Sequence, residues 1–230
     1  MKKTKIIVPA LGMLLLSTAA SVTGTVAWFS ANSQVTATGM TVSAKSDSKL
    51  LVINFGESFN ASGEATTATS THAATQLFPV APAVSLTSAN VETAGSWHYA
   101  YSSSTATATA SGSYTACTSL TNYVVSESVF IGLNTTSGLD TASNLKLTAV
   151  TLPTYGESQS TGVSVVVVCG TNCYTHTTSA TSLTEALATS VGKTGVEVKL
   201  YYFINGEDAN VYTNNISNLT GAVSLTFNID

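Results

Sequence analysis

Apolar side chains recur at every second position along much of the chain, the period of a strand with one buried face. Val196, Val198, Leu200, Tyr202 and Ile204 alternate with Glu197, Lys199, Tyr201 and Phe203, and Asn205-Gly206 then turns the chain. Val223, Leu225, Phe227 and Ile229 alternate with Ser224, Thr226 and Asn228. Leu50-Leu51-Val52-Ile53-Asn54-Phe55 is an apolar run closed by Gly56, which predicts a strand buried on both faces. Residues 124–133, 145–152 and 163–169 are further strand-sized segments, each bounded by Gly, Asn, Ser or Pro. Trp97-His98-Tyr99-Ala100-Tyr101 is built from strong strand formers. Residues 66–75 and 102–118, rich in Ser, Thr and Ala, predict loops or weak edge strands. One stretch departs from this pattern. Ser182-Leu183-Thr184-Glu185 has capping-box spacing and leads into Ala186-Leu187-Ala188, which predicts a short helix. The pattern as a whole predicts an all-β fold, a β-sandwich of jelly-roll or Ig-like type with one short helix.

The start of the chain follows a different rule. Lys2, Lys3 and Lys5 form a basic region ahead of the apolar stretch Ile6 to Ala20, the arrangement of an export signal. The uncharged run continues to Phe29, long enough to cross a bilayer core of about 30 Å as a helix. Two outcomes stay open, a cleaved signal peptide and a retained membrane anchor. Small residues allow cleavage after Ala20 or after Ala27. Beyond it, Val35 and Ala37 share one parity and Met40, Val42 and Ala44 the other, so the alternation changes phase at Gly39, where a bulge or bend would re-aim the side chains. The expected organisation is residues 1–27 as signal or anchor, 28–44 as an N-terminal strand segment and 45–230 as the sandwich.

Composition narrows the function. Charged residues make up only 9% of the chain, against about a quarter in ordinary soluble domains. There is no arginine, and removal of residues 1–27 takes three of the eight lysines, leaving five against twelve carboxylates. A chain without basic clusters has nothing to neutralise a phosphate backbone, so nucleic-acid binding is set aside. The membrane enters only through the N-terminal segment, and the expected location is extracellular or at the cell surface.

Signatures of catalysis are missing. The chain has no HExxH, no GxSxG and no Gly-rich phosphate loop, so no enzyme activity is expected. His72, His98 and His176 lie in unrelated contexts. Cys169-Gly-Thr-Asn-Cys173 is spaced for a disulfide across a tight loop, with Cys117 left over. The same cysteines with His176 lack a fourth ligand for zinc, so no metal site is assigned there. Asn205-Gly206-Glu207-Asp208-Ala209-Asn210 is the densest polar cluster; it reads as a solvated turn or a calcium loop, though without the alternating ligands of an EF-hand. Asn60, Asn134, Asn215 and Asn218 each open an N-glycosylation sequon.

Gly24-Thr25-Val26-Ala27-Trp28-Phe29-Ser30, followed by a polar strand, the bend at Gly39 and Thr41-Val42-Ser43-Ala44, resembles the N-terminus of the TasA and camelysin family of secreted biofilm matrix fibre proteins. The stretch Val198 to Ile229 is similar in character to exported surface proteins with such signals. Together the two stretches span just under a quarter of the chain. The resemblance implies cleavage after Ala27, Trp28 as the first mature residue, and a mature N-terminal segment that pairs as a strand with the next subunit. Trp28, Phe29, Ala31, Val35, Ala37, Met40 and Val42 would then be the donor residues. The metallopeptidase activity described for camelysin relatives is not carried over, because no zinc-protease pattern is present.

The physical logic of such exchange is general: an exposed sheet edge offers unpaired N–H and C=O groups, and an extended segment from a second copy satisfies them. A head-to-tail contact of this kind does not close on itself and propagates a fibre. The same segment would equally serve as the first strand of its own sheet, and residues 222–229 are a second donor candidate. The leading expectation is a homopolymeric structural subunit without cofactors. Its rival is a membrane-anchored surface or virion decoration domain that binds a receptor or glycan, with Trp97, Tyr99 and Tyr101 available for sugar stacking.

Overall fold

The computed structural model describes residues 41–44, 51–63, 65–69, 77–99, 115–155, 162–208, 219–220 and 223–229. These form a sandwich of two five-stranded sheets. The first has the spatial order β11 (Glu185–Gly192), β7 (Thr141–Thr151), β14 (Ser224–Asn228), β1 (Thr41–Ala44) and β3 (Thr67–Thr69). The second has the order β10 (Asn172–His176), β9 (Val163–Cys169), β12 (Val196–Ile204), β6 (Val124–Leu133) and β2 (Leu51–Phe55). Two small pairs complete the fold, β4 (Val80–Pro82) with β5 (Trp97–Tyr99), and β8 (Thr154–Tyr155) with β13 (Leu219–Thr220).

The alternation read from the sequence fills the space between the sheets. Ile53, Ile131, Val165, Val167 and Leu200 of the second sheet meet Leu147, Leu225 and Phe227 of the first in one core. Every ladder between named strands is antiparallel except one: β1 runs parallel to β14, with Thr41 opposite Ser224 and Ala44 opposite Phe227. On its other side β1 pairs with the three residues of β3. Of the expected donor residues, Val42 thus lies in a strand of its own sheet, opposite Leu225. Trp28, Phe29, Ala31, Val35, Ala37 and Met40, with Ala27 and the rest of the N-terminal segment, lie outside the described residues. Among the described residues no helix is long and apolar enough to cross a membrane.

The second sheet buries its outer face as well. Successive strand residues point to opposite sides, so Val166 and Val168 of β9 and Tyr201 and Phe203 of β12 face away from the core. There they form a second cluster with Val80, Val91, Trp97 and Cys117 of an overlying cap. Trp97 is fully buried and its ring meets Phe203 edge-on at 4.9 Å. Its indole N–H donates to the Val91 carbonyl at 2.9 Å, so the buried polar atom is satisfied. At the other end of the sheet the loop after β2 covers the face with Phe59. A methyl group on Gly195 would lie 2.5 Å from Phe59 Cγ, and one on Gly132 would press into the same ring and lie 2.7 Å from Gly195 Cα. The run Leu51-Val52-Ile53 is buried throughout, as its unbroken apolar character predicts.

The helix expected at residues 182–188 is not formed; this stretch enters the first sheet. The amides of Ala180 and Leu183 donate to the carbonyls of Val150 and Thr148 at 2.8 and 2.9 Å, so the backbone is committed to β7 before a helical turn can close. β11 then pairs Glu185 with Leu147 and Ala186 with Lys146, and a bulge between Ala186 and Ala188 shifts the register. Leu187 and Val191, four apart as on a helix face, both reach the core from this strand. Glu185 bonds His176 at 2.9 Å. Core burial here overrides a local capping signal that is worth only about 1 kcal/mol. The helical turn that the described residues do contain is a short 3-10 turn at Ala94–Ser96.

Two substitutions test these contacts. Trp97→Ala should cost about 3–5 kcal/mol, because it empties the centre of the cap. Gly132→Ala should cost about 1–3 kcal/mol, because the added methyl meets the Gly195 backbone at 2.7 Å as well as displacing the Phe59 ring. Chemical denaturation of each variant against the parent measures both.

Candidate functional site

Charged and hydroxylated side chains converge on the outer face of the second sheet, where the cap ends. β12 is the middle strand of that sheet, and its outward positions Glu197 and Lys199 continue the row begun by Phe203 and Tyr201. Ser126 and Ser128 stand opposite Tyr201 and Lys199 on β6. Glu92 comes from the cap. The turn before it is closed by the Thr87 amide donating to Asn90 Oδ1 at 2.7 Å and the Val91 amide donating to the Thr87 carbonyl at 3.0 Å. The indole of Trp97 then holds the Val91 carbonyl, which fixes the height of Glu92 above the sheet.

One carboxylate oxygen of Glu92 joins the two layers. It accepts the Tyr201 hydroxyl at 2.5 Å and Lys199 Nζ at 2.9 Å. The Ser128 hydroxyl donates to Glu197 Oε1 at 2.6 Å. Two hollows flank the Glu92–Lys199 pair. One, of about 230 Å³, is lined by Ser88, Glu92, Val168, Gly170, Glu197, Lys199 and Tyr201. The other, of about 120 Å³, is lined by Glu92, Ser126, Glu127, Ser128, Lys199 and Tyr201.

The hydrogen bond from Tyr201, and then that from Lys199, hold the Glu92 carboxyl below its usual range. The bond to Glu92 raises Lys199 above its usual value. Burial, then the hydrogen bond to Glu92, raises the Tyr201 phenol well above its ordinary range. A depressed carboxyl contributes stability above its unfolded pKa and loses it as pH falls through the folded one. A raised lysine or tyrosine contributes below its unfolded pKa and loses it as pH rises through the folded one. The tie between cap and sheet is therefore complete from about pH 5 to about pH 10.

The residues marked in the sequence are dispersed. Cys117, Cys169 and Cys173 are all free thiols, and the expected Cys169–Cys173 disulfide is absent. The register explains why. Cys169 stands opposite Asn172 and Cys173 opposite Val168, so the two thiols leave the hairpin on opposite faces. Cys169 enters the core between the sheets, while Cys173 packs against the cap cluster. Side chains directed apart cannot be bridged without moving the backbone. Burial pushes the Cys117 and Cys169 thiols up to about 11, with the Glu197 charge adding to the effect on Cys169.

The histidines act as side-chain ties: His176 Nε2 meets Glu185 at 2.9 Å and His98 Nε2 meets Glu207 at 3.3 Å. His72 lies outside the described residues. In the candidate calcium loop, the Asn205 side-chain oxygen accepts the Glu207 amide at 3.1 Å, and residues 209 and 210 lie outside the described residues. Among the described residues no group of three or more His, Cys, Asp or Glu side chains is arranged to hold a metal ion. Asn134 of the second sequon is buried and donates to the Gly63 carbonyl at 2.7 Å, which takes its amide nitrogen out of reach of a glycan.

Trp97 is unavailable for sugar stacking because it is core. Tyr99 packs on Tyr123 with ring centroids 4.9 Å apart, and Tyr101 lies outside the described residues. The Glu92–Lys199–Tyr201 site went unmarked in the sequence because its members are 109 positions apart at the extreme. The available signal was the pair of charges, Glu197 and Lys199, on an otherwise apolar strand. Compared with protein-family models, curated proteins and solved structures, the chain matches none.

Replacing Glu92 by Gln should lower the melting temperature near neutral pH and flatten its fall between about pH 5 and pH 3, where the parent carboxylate is protonated; scanning calorimetry across that range checks it. Cys117 and Cys169 should react with iodoacetamide at pH 8 at least about tenfold more slowly in the native protein than in denaturant, as peptide mapping would show.

Proposed function

We propose that this protein is a non-catalytic structural subunit of an extracellular filament, assembled head to tail by exchange of its N-terminal strand segment. The observation that carries this reading is the parallel β1–β14 ladder. Parallel neighbours ordinarily need a long crossover connection within one chain. Here the seat beside the last strand is filled by the segment that directly follows residues 28–40, an uncharged stretch. Taken away, β1 leaves the hydrogen-bonding edge of β14 open above Leu225 and Phe227, both fully buried. The same segment from a second copy would restore every bond in the same register.

The opposite side of the sandwich favours this edge by being closed. Asn172 Nδ2 donates to the Leu187 carbonyl and the Tyr174 hydroxyl to the Ala186 carbonyl, each at 2.9 Å. Together with the His176–Glu185 pair these bonds lace β10 to β11, and they occupy carbonyls that an added strand would need. The low charge of the chain and its expected export signal suit a polymer outside the cell. A resemblance to biofilm matrix fibre proteins at the N-terminus points the same way. The surface-domain alternative is favoured by one observation, the polar hollows beside Glu92, and it requires that residues 6–29 remain attached.

Removal of residues 28–44 should give a folded chain that forms no filaments by negative-stain imaging and sediments as a monomer. A synthetic peptide of residues 28–44 should slow elongation of the parent protein. Unaltered filaments from the deletion would sink the proposal. Intact mass of the extracellular material decides between cleavage and a retained anchor.

A further inference from the structure

We propose that the two hollows flanking Glu92 and Lys199 form one trough that binds an uncharged polysaccharide. This site is independent of strand exchange and goes beyond it, since a monomer carries it whole. Three features bear on the ligand's chemistry.

The first is the mixture of partners. Glu92 and Glu197 offer acceptor oxygens, Lys199 offers ammonium donors, and Ser88, Ser126 and Ser128 carry hydroxyls able to do either. Neighbouring hydroxyls on a sugar ring present the complementary set, a donor to a carboxylate beside an acceptor for an ammonium. The second is preorganisation. Tyr201 and Lys199 hold Glu92 at 2.5 and 2.9 Å, and Ser128 holds Glu197 at 2.6 Å, so little side-chain freedom is left to lose on binding. Three of the lining groups stand on β12, an inner strand bonded on both sides. Glu92 and Lys199 remain reachable, with side-chain exposures of 61% and 42%.

The third is shape and charge. The larger hollow, about 230 Å³, is small for a drug-sized ligand and suits a single sugar ring, and the second hollow shares Glu92, Lys199 and Tyr201 with it. A chain passing over the ion pair would place one residue in each. Two carboxylates, those of Glu92 and Glu197, against one ammonium line the trough, a net negative charge that disfavours uronate polymers and other anions.

The test uses the purified full-length chain and three neutral probes, cellohexaose, maltohexaose and N-acetylchitohexaose, with an oligouronate and a deacetylated, amine-bearing chitosan oligomer as comparisons. Isothermal titration should show saturable binding of at least one neutral probe, with no binding of the oligouronate. Glu197→Gln and Lys199→Ala should each weaken it at least about tenfold, while the melting temperature of Glu197→Gln stays near that of the parent. Amide chemical shifts perturbed by the probe should map to β12 and β6. Absence of binding by every neutral probe, affinity in both variants equal to that of the parent, or binding confined to the amine-bearing oligomer and abolished by salt would each overturn the proposal.

Discussion

Burial of one sheet on both of its faces is the constraint on which the rest of this structure depends. β9 is buried at every position, and β12 buries Tyr201 and Phe203 outward as well as Leu200 and Tyr202 inward. A two-layer sandwich covers only one face of each sheet, so these strands would otherwise leave large apolar side chains in water. Covering a Val or Phe side chain is worth about 1.5–3 kcal/mol. The cap answers this requirement. Trp97 seats on Phe203, its N–H is satisfied by Val91, and the loop so positioned brings Glu92 to Lys199 and Tyr201. The polar trough is thus a by-product of covering the sheet: it lies where the cap stops and before Phe59 begins.

The two long sides of the sandwich are treated differently. On one, β10 reaches across to β11 with an amide, a phenol and an imidazole, which protects carbonyls at the sheet edge. Such protection is the usual way a β-protein keeps an edge from pairing with its neighbours. On the other side the sheet ends in three-residue β3, with β1 seated parallel on β14. One edge is thus laced by side chains, and the other ends in a strand of three residues beyond β1.

Much of this architecture was legible in the sequence. The alternation at residues 196–204 and 223–229 marks strands because side chains along a strand change face at every residue, and burial selects the apolar half. The unbroken run at Leu51-Val52-Ile53 marks a strand covered on both faces, whereas 163–169 was legible only as a strand. Residues 182–188 were not legible, since capping-box spacing and an Ala-Leu-Ala run describe a helix while the amides of Ala180 and Leu183 find partners only when β7 lies alongside. The cysteines mislead for a related reason. A spacing of four residues closes a loop on paper, but the hairpin register sends Cys169 and Cys173 to opposite faces.

The sequence by itself determined the all-β class, the positions of most strands and the scarcity of charge, because these follow from local periodicity and composition. Tertiary structure alone decided which strands neighbour one another, that β1 runs parallel to β14, that Trp97 is core, and that Glu92 meets Lys199 and Tyr201. Each of these depends on contacts between residues far apart in the chain, and the free energy that selects them exists only once the two sheets and the cap have packed.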